Sequence, residues 1–297
     1  MKRKVYGQLL EWKNQEHHKP LLLNGVRQCG KTYVLKEFGR REFDSLAYVS
    51  CDRNVNLQAI YSGDFDVARI IQGLSALTGV DIIPGKTLIF LDEVQAFPQA
   101  LEALKYFCED APEYHIAVAG SLLGVALHAG VSFPVGKVQT LRLFPMDFEE
   151  FLMAMGEEQL LKLMHSHDYE LMNAFHEKLK DLLRQYYYVG GMPEVVKAFV
   201  ENKLLNQVRS LQNEILSNYA SDFSKHAPSQ EVPRIDMVWQ SILGQLSKEN
   251  KKFVYGVLKK GGRAKEFELA IQWLVDAGLV YKITKVTKPE LPLKFYE

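Results

Sequence analysis

Residues 25–32 read Gly25-Val26-Arg27-Gln28-Cys29-Gly30-Lys31-Thr32, which fits G-x-x-x-x-G-K-[ST] with no substitution. A loop of this type wraps polyphosphate with backbone N–H groups. Its glycines allow close approach, and the helix that follows adds the positive end of its dipole. Lys31 is expected to reach the β- and γ-phosphates of a nucleotide and Thr32 to bind Mg²⁺. Gly25, Arg27, Gln28, Cys29, Gly30, Lys31, Thr32 and Tyr33 are therefore the candidate nucleotide-binding residues. Cys29 reads either as a merely small residue or as a redox-sensitive thiol, because N–H dipoles and Lys31 favour thiolate.

A phosphate loop needs an acid at the end of a second strand. The run TLIFLDEVQ supplies Asp92 and Glu93 after an apolar stretch. Asp92 at the strand tip is placed to hold the Mg²⁺ hydration shell, and Glu93 on the other face to polarise an attacking water. An exposed acidic helix cap would explain the pair by itself, but not beside the loop. HIAVAGS ends in Ser121, which reads equally as a contact to the γ-phosphate or the water and as the N-cap of a helix beginning LLGVAL. Such an extra strand, taken with Glu93, separates additional-strand ATPases from the GTPase and small-molecule kinase branch. Other chemistry is weaker. His165 and His167 have no third ligand close in sequence and read as a solvated loop. Tyr186, Tyr187 and Tyr188 read as packing ahead of a Gly-Gly turn before base stacking.

These residues need a scaffold, and the apolar pattern predicts one. LLLN at 21, LAYVSCD at 46, TLIFLDE at 87 and HIAVAGS at 115 are short runs, apolar at consecutive positions, as expected of strands buried on both faces of a parallel sheet. VQTLRLFP at 138 is a fifth. TYVLKEFG and PQALEALKYFCED have helical spacing and read as crossover helices. The fold class is thus α/β, a parallel-sheet core over residues 1–146. Asp147 with Glu150 predicts a capping box that opens a helix. Residues 147–235 lack strand signals and read as a helical lid broken by Gly190-Gly191-Met192-Pro193, with a polar linker at 225–236. Residues 236–297 show a helix-turn-helix cadence, with helices in MVWQSILGQLSKE, KFVYGVLKKGG and RAKEFELAIQWLVDAG and then a strand hairpin, the outline of a winged helix.

Composition excludes several classes. The chain has 297 residues, 47% apolar and 24% charged, with Lys plus Arg and Asp plus Glu at 36 each, so no global field attracts nucleic acid or anionic lipid. The apolar runs are far too short to span a bilayer. No secretory signal pattern follows the basic N-terminus, and three separated cysteines fit a reducing compartment. A cytoplasmic location with no membrane partner is expected. Residues 236–297 hold 11 Lys and Arg against 7 Asp and Glu, a net of +4, but the expected recognition helix is mixed in sign. DNA and protein contacts, a second copy included, both stay open as partners.

In order along the chain, GVRQCGKT, LDEVQ, AGSLLG, FPVGKV, LFPMDFEEFL and YVGGMPEVV resemble the AAA+-type P-loop ATPases of bacteria and archaea. The resemblance covers almost the whole chain. It implies ATP and Mg²⁺, with Lys31, Thr32, Asp92, Glu93 and Ser121 in their usual roles, an ATPase core with helical lid and winged helix, and no defined target. Two departures stand out. Gly136-Lys137 replaces the Gly-Arg of many relatives and leaves the phosphate-sensing arginine unassigned, with Arg142 and Arg184 as candidates. Similar proteins also continue into a nuclease-like domain beyond the point where this sequence stops.

Overall fold

The computed structural model describes residues 1–52, 54–63, 65–121, 134–250 and 252–286. The chain divides into two compact units, Met1–Asn218 and Tyr219–Glu297.

The first unit is built on five parallel strands. They are β1 (Leu21–Gly25), β2 (Ser45–Ser50), β3 (Thr87–Asp92), β4 (His115–Ser121) and β5 (Gln139–Leu143), in the spatial order β2-β3-β4-β1-β5. Each of the five apolar runs becomes a strand. Position in the sheet explains their differing burial: β3 lies inside and is buried at all six residues, whereas β2 and β5 are edges and bury fewer positions. Strand β4 lies between β1 and β3, so an extra strand does separate the loop strand from the acid strand.

Helices cover both faces, as a parallel sheet requires. On one side α3 (Asn56–Ile60), α4 (Val67–Thr78) and α5 (Gln99–Asp110) pack Leu57, Ile70, Leu74, Leu104 and Phe107 against Val49, Ile89, Leu91, Ile116 and Val118. On the other lie α1 (Val5–Lys13) and α2 (Lys31–Glu42), with Trp12 and Phe38 fully buried. Gly39 in α2 is a glycine because a Cβ there would come within 2.7 Å of Leu46. That close approach sets α2 down on β2 and β3.

After β5 the chain is helical: α6 (Phe148–Ala154), α7 (Glu158–Ser166), α8 (Tyr169–Ala174), α9 (His176–Val189), α10 (Pro193–Asn202) and α11 (Leu205–His226). The capping box forms with both of its bonds, Asp147 accepting from the Glu150 N–H and Glu150 from the Asp147 N–H. Gly190-Gly191-Met192-Pro193 turns between α9 and α10. Met146 donates to the Gly191 carbonyl over 2.6 Å, and a Cβ on Gly191 would stand 2.1 Å from the Met146 oxygen. Only glycine fits there.

The second unit packs Phe223 edge-on to Trp239 and Trp273, with α12 (Val232–Leu246) and α13 (Ala264–Asp276) supplying most of its core. Two expectations change here. Residues 225–236 are not an extended linker, because α11 runs to His226 and α12 begins at Val232, with Pro233 in its first turn, where a missing N–H costs nothing. KFVYGVLKKGG forms only a single 3₁₀ turn at Tyr255–Val257, since its glycines resist a helix, and the buried Gln245 side chain accepts the Val254 N–H over 2.6 Å instead. Among the described residues of this unit there is no strand, and part of the expected hairpin, 287–297, lies outside them.

At the start of β4, His115 stacks on His18 with ring centroids 3.8 Å apart, and Trp12 and Phe43 close the cluster. His115 Nε2 donates to the Lys13 carbonyl over 3.2 Å. Among the described residues neither Nδ1 has a hydrogen-bond partner. Burial holds both imidazoles below their usual range, His18 at about 4, with the charge of His115 adding to the effect. Above the unfolded value near 6.5 neither state carries these protons. As pH falls from there toward 4, the unfolded chain takes up protons that the folded chain refuses, so stability is lost. Urea unfolding is expected to show about 1–2 kcal/mol less stability at pH 5 than at pH 7 from this pair. His18→Phe should flatten that slope, and an unchanged slope would count against the account.

Candidate nucleotide-binding site

Because all strands run the same way, the C-terminal ends of β1, β3 and β4 meet on one edge of the sheet. Gly25 ends β1 and pairs in register with Ser121 at the end of β4 on one side and Leu143 of β5 on the other. A Cβ on Gly25 would stand 2.4 Å from the Leu143 oxygen and 2.9 Å from Cys29 Sγ. The first glycine of the octet is thus set by packing against β5. The second, Gly30, is set by its left-handed backbone, φ 95°, at the N-cap of α2. Gln28 takes a left-handed φ of 61° without being glycine, the kind of strained backbone that gathers at ligand-binding loops.

Lys31 opens α2 and is buried, its Nζ donating to the carbonyls of Gly25 and Val26 over 3.0 and 2.9 Å. The Thr32 side chain lies near Asp92 across the sheet edge and favours its charged form. Asp92 shares the α2 face with Leu88 and Phe90 by strand alternation. It also accepts from Tyr48 Oη over 3.3 Å and from the Glu93 N–H over 3.1 Å. Burial pushes the Asp92 carboxyl above its usual range; the nearby Thr32 side chain opposes this and the charge of Glu93 adds to it. Two neighbouring oxygen donors, one of them a poorly solvated carboxylate, suit a hard cation such as Mg²⁺.

Glu93 departs from simple strand alternation. The strand ends at Asp92, and Glu93 takes a left-handed φ of 52° before the 3₁₀ turn Val94–Ala96. Its direction is set by that turn, and Gln95 Nε2 donates to its carboxylate. Of Ser121 the backbone position beside Gly25 is described and the side chain is not; the LLGVAL helix falls on 122–133, outside the described residues.

Other candidates scatter. Arg27, Gln28 and Tyr33 are exposed. Arg142 sits on β5 with its guanidinium 5.0 Å from the Phe144 ring, and Arg184 pairs with Asp181 on the surface of α9. Lys137 pairs with Glu109, and His165 with Glu149. Tyr186 donates to the Met146 carbonyl over 2.8 Å and packs against Phe151, while Tyr187 and Tyr188 are exposed.

Sequence reasoning missed Arg3. It is buried, and donates from Nη1 to the Cys29 carbonyl (2.9 Å), from Nη2 to the Phe144 carbonyl (2.5 Å) and from Nε to Glu150 (3.1 Å). A single arginine in a basic N-terminal run carries no motif, so only the fold could reveal it.

Of the two readings of Cys29, the structure favours the small packed residue over the redox-sensitive thiol. Cys29 is fully buried and its pKa is raised, because burial outweighs the nearby charges of Lys31 and Arg3. Cys51 is likewise pushed up to about 12, by burial first and Asp92 second. A maleimide is expected to modify half-buried Cys108 first, and Cys29 and Cys51 only on unfolding. Peptide mapping that finds Cys29 labelled early in the native protein would contradict this.

Comparison with known proteins agrees with the geometry. Residues 17–152 match a family model described as an AAA domain, and residues 180–296 one described as a domain of unknown function (DUF8612). Among solved structures, the Walker-type ATPase PABY2304 of Pyrococcus abyssi superimposes with a TM-score of 0.57 at 13% identity, covering 93% of this chain and 89% of that one. Drosophila ORC bound to DNA gives a TM-score of 0.38 at 12% identity over 98% and 88% of the two chains. No curated protein sequence matches. Among the described residues no helix is long and apolar enough to cross a membrane. With the parallel sheet, the loop-to-helix turn and the extra strand in place, the chain has an α/β fold like that of P-loop NTPases, and residues 17–152 of it carry the match to an AAA domain.

Proposed function

We propose that the chain binds ATP with Mg²⁺, hydrolyses it, and acts as a molecular switch on a macromolecular target. The observation that carries this reading is the meeting of Lys31, Thr32 and Asp92 at one edge of the sheet. Among the described residues no side-chain hydrogen bond caps the start of α2, so the N–H groups of Gly30 and its first turn would hold phosphate oxygens. Lys31, whose Nζ donates to two backbone carbonyls, would exchange them for the β- and γ-phosphates, a stronger charge-assisted pairing. Thr32 and Asp92 would hold Mg²⁺, which when bound neutralises charge between those phosphates. Glu93 would take the proton of the attacking water, with Gln95 fixing its carboxylate until then. Ser121 at the end of β4 pairs in register with the loop's first residue, and from there would contact the γ-phosphate or the attacking water.

The target is macromolecular on this reading because the described residues after β5 are mostly helical and add no strand to the sheet. A protein partner, a second copy or DNA engaged through residues 236–297 would each serve. Measuring turnover alone, with DNA and with candidate proteins separates them. No turnover under any of these conditions would leave a nucleotide-binding scaffold.

Lys31→Ala is expected to weaken ATP binding by about a hundredfold, roughly the upper worth of a charge-assisted hydrogen bond. Calorimetry giving near-native affinity would remove the phosphate-loop assignment. Glu93→Gln keeps size and one acceptor but cannot take up a proton. ATP should bind it normally while single-turnover hydrolysis falls by roughly 10² to 10⁴, the usual worth of a positioned general base. Equal rates in variant and wild type would show that Glu93 is not the base.

A further inference from the structure

Arg3 touches three segments that are far apart in sequence, all within the first unit: the phosphate loop at Cys29, the residue after β5 at Phe144, and helix α6 at Glu150. Its side chain and that of Glu150 are 5% and 6% exposed, so the guanidinium is a buried positioning group and does not itself present to a ligand. An ion pair this dry is seldom the most stable way to join segments. What a guanidinium adds over hydrocarbon is a rigid fork of N–H donors aimed at fixed acceptors.

The acceptor on the loop is informative. Cys29 and Gly30 share one planar peptide, in which the C=O and the N–H point opposite ways when trans. Gly30, at φ 95°, is the residue least able to resist rotation of that plane. Holding the Cys29 oxygen toward Arg3 therefore turns the Gly30 N–H away from Arg3. Arg3 lies on one flank of the loop, where a Cβ on Gly30 would be in ordinary van der Waals contact with Arg3 Nη1 at 3.7 Å and with Pro193 at 3.6 Å. The other end of the network is the capping box: Glu150 Oε1 accepts from Arg3 Nε and the Lys4 N–H, and Oε2 from the Asp147 N–H.

Resting on the ATP-binding reading above, we infer that Arg3 is a positioning residue for the phosphate loop, fixing the Cys29–Gly30 peptide for phosphate and coupling the loop's occupancy to the start of α6 through Glu150. Nucleotide that takes the Gly30 N–H stabilises the same peptide orientation that Arg3 holds. Each then strengthens the other, and α6 is ordered with them.

The test uses full-length protein with Mg·ATP as the probe. Arg3→Lys keeps the charge but cannot reach all three acceptors. The Arg3→Met, Glu150→Met double variant removes both charges and leaves neither unpaired. For each, the melting temperature is measured without nucleotide, ATP affinity by calorimetry, and hydrogen exchange of residues 147–152 with and without ATP. Expected for Arg3→Lys is a folded protein with roughly tenfold weaker ATP binding, about the worth of one hydrogen bond to a charged group, and loss of the ATP-induced protection at 147–152. Should Arg3→Lys fail to fold, the double variant is read by the same criteria. A folded variant with native ATP affinity and native protection, or with a lowered melting temperature alone, overturns the inference and makes Arg3 merely structural. If wild type binds no ATP, or binds it no better than Lys31→Ala does, the nucleotide reading itself falls and this inference goes with it.

Discussion

Five strands running in one direction oblige all their carboxyl ends to finish on one edge of the sheet, and the first unit's chemistry depends on that constraint. With β1 between β4 and β5, the chain leaving Gly25 must turn tightly past the Leu143 carbonyl before α2 can begin. That turn is the phosphate loop. Strand β3, one place further along, delivers Asp92 to the same edge, where Thr32 in the first turn of α2 can reach it. Asp92 could not be moved by one position, since a slip of one residue along a strand sends its side chains to the opposite face.

The cost of this arrangement is desolvation. Lys31 and Asp92 are both buried, though each keeps polar partners: two carbonyls for the lysine, and Thr32, Tyr48 and a backbone N–H for the aspartate. Such satisfied but weakly held groups are stable enough to fold and still poised to accept a stronger partner. Lys36 over the Tyr48 ring, 3.4 Å from its centroid, holds that tyrosine in place. The surroundings of Asp92 are thus fixed from two elements at once.

Much of this was legible in the sequence, and the reasons are physical. Strands buried on both faces must be apolar at consecutive positions, so LLLN and TLIFLD announce themselves; a capping box needs two fixed residue types at fixed spacing, so Asp147 and Glu150 do as well. What stayed hidden depends on tertiary approach. Gly25 belongs to a phosphate-loop pattern, but its lack of a side chain answers to a carbonyl 118 residues later in the chain. Glu93 follows a strand, yet its left-handed backbone withdraws it from strand alternation. Cys29 lies beside a lysine that should acidify it, and burial reverses the sign. The 225–236 run has the composition of a linker, but a proline in the first turn of a helix looks the same in sequence as one in a loop.

Arg3 and Glu150 extend the argument beyond the sheet edge. A buried carboxylate is tolerable only when its oxygens are occupied, and Glu150 meets that condition with three donors, one from a side chain and two from backbone. Two of those donors come from residues 3 and 4 and one from the helix start that Glu150 itself caps. Withdrawing any one leaves a charge underserved in low dielectric, and that penalty falls on the whole network and not on a single bond. The N-terminal segment, the loop peptide at Cys29 and the first turn of α6 are thereby made one mechanical piece. Gly191, pressed against Met146 just ahead of α6, joins α9 and α10 to the same piece. A change of state at the phosphate loop therefore has a contiguous set of hydrogen bonds and close contacts leading into the helices of the first unit, where a sheet edge alone would have had none.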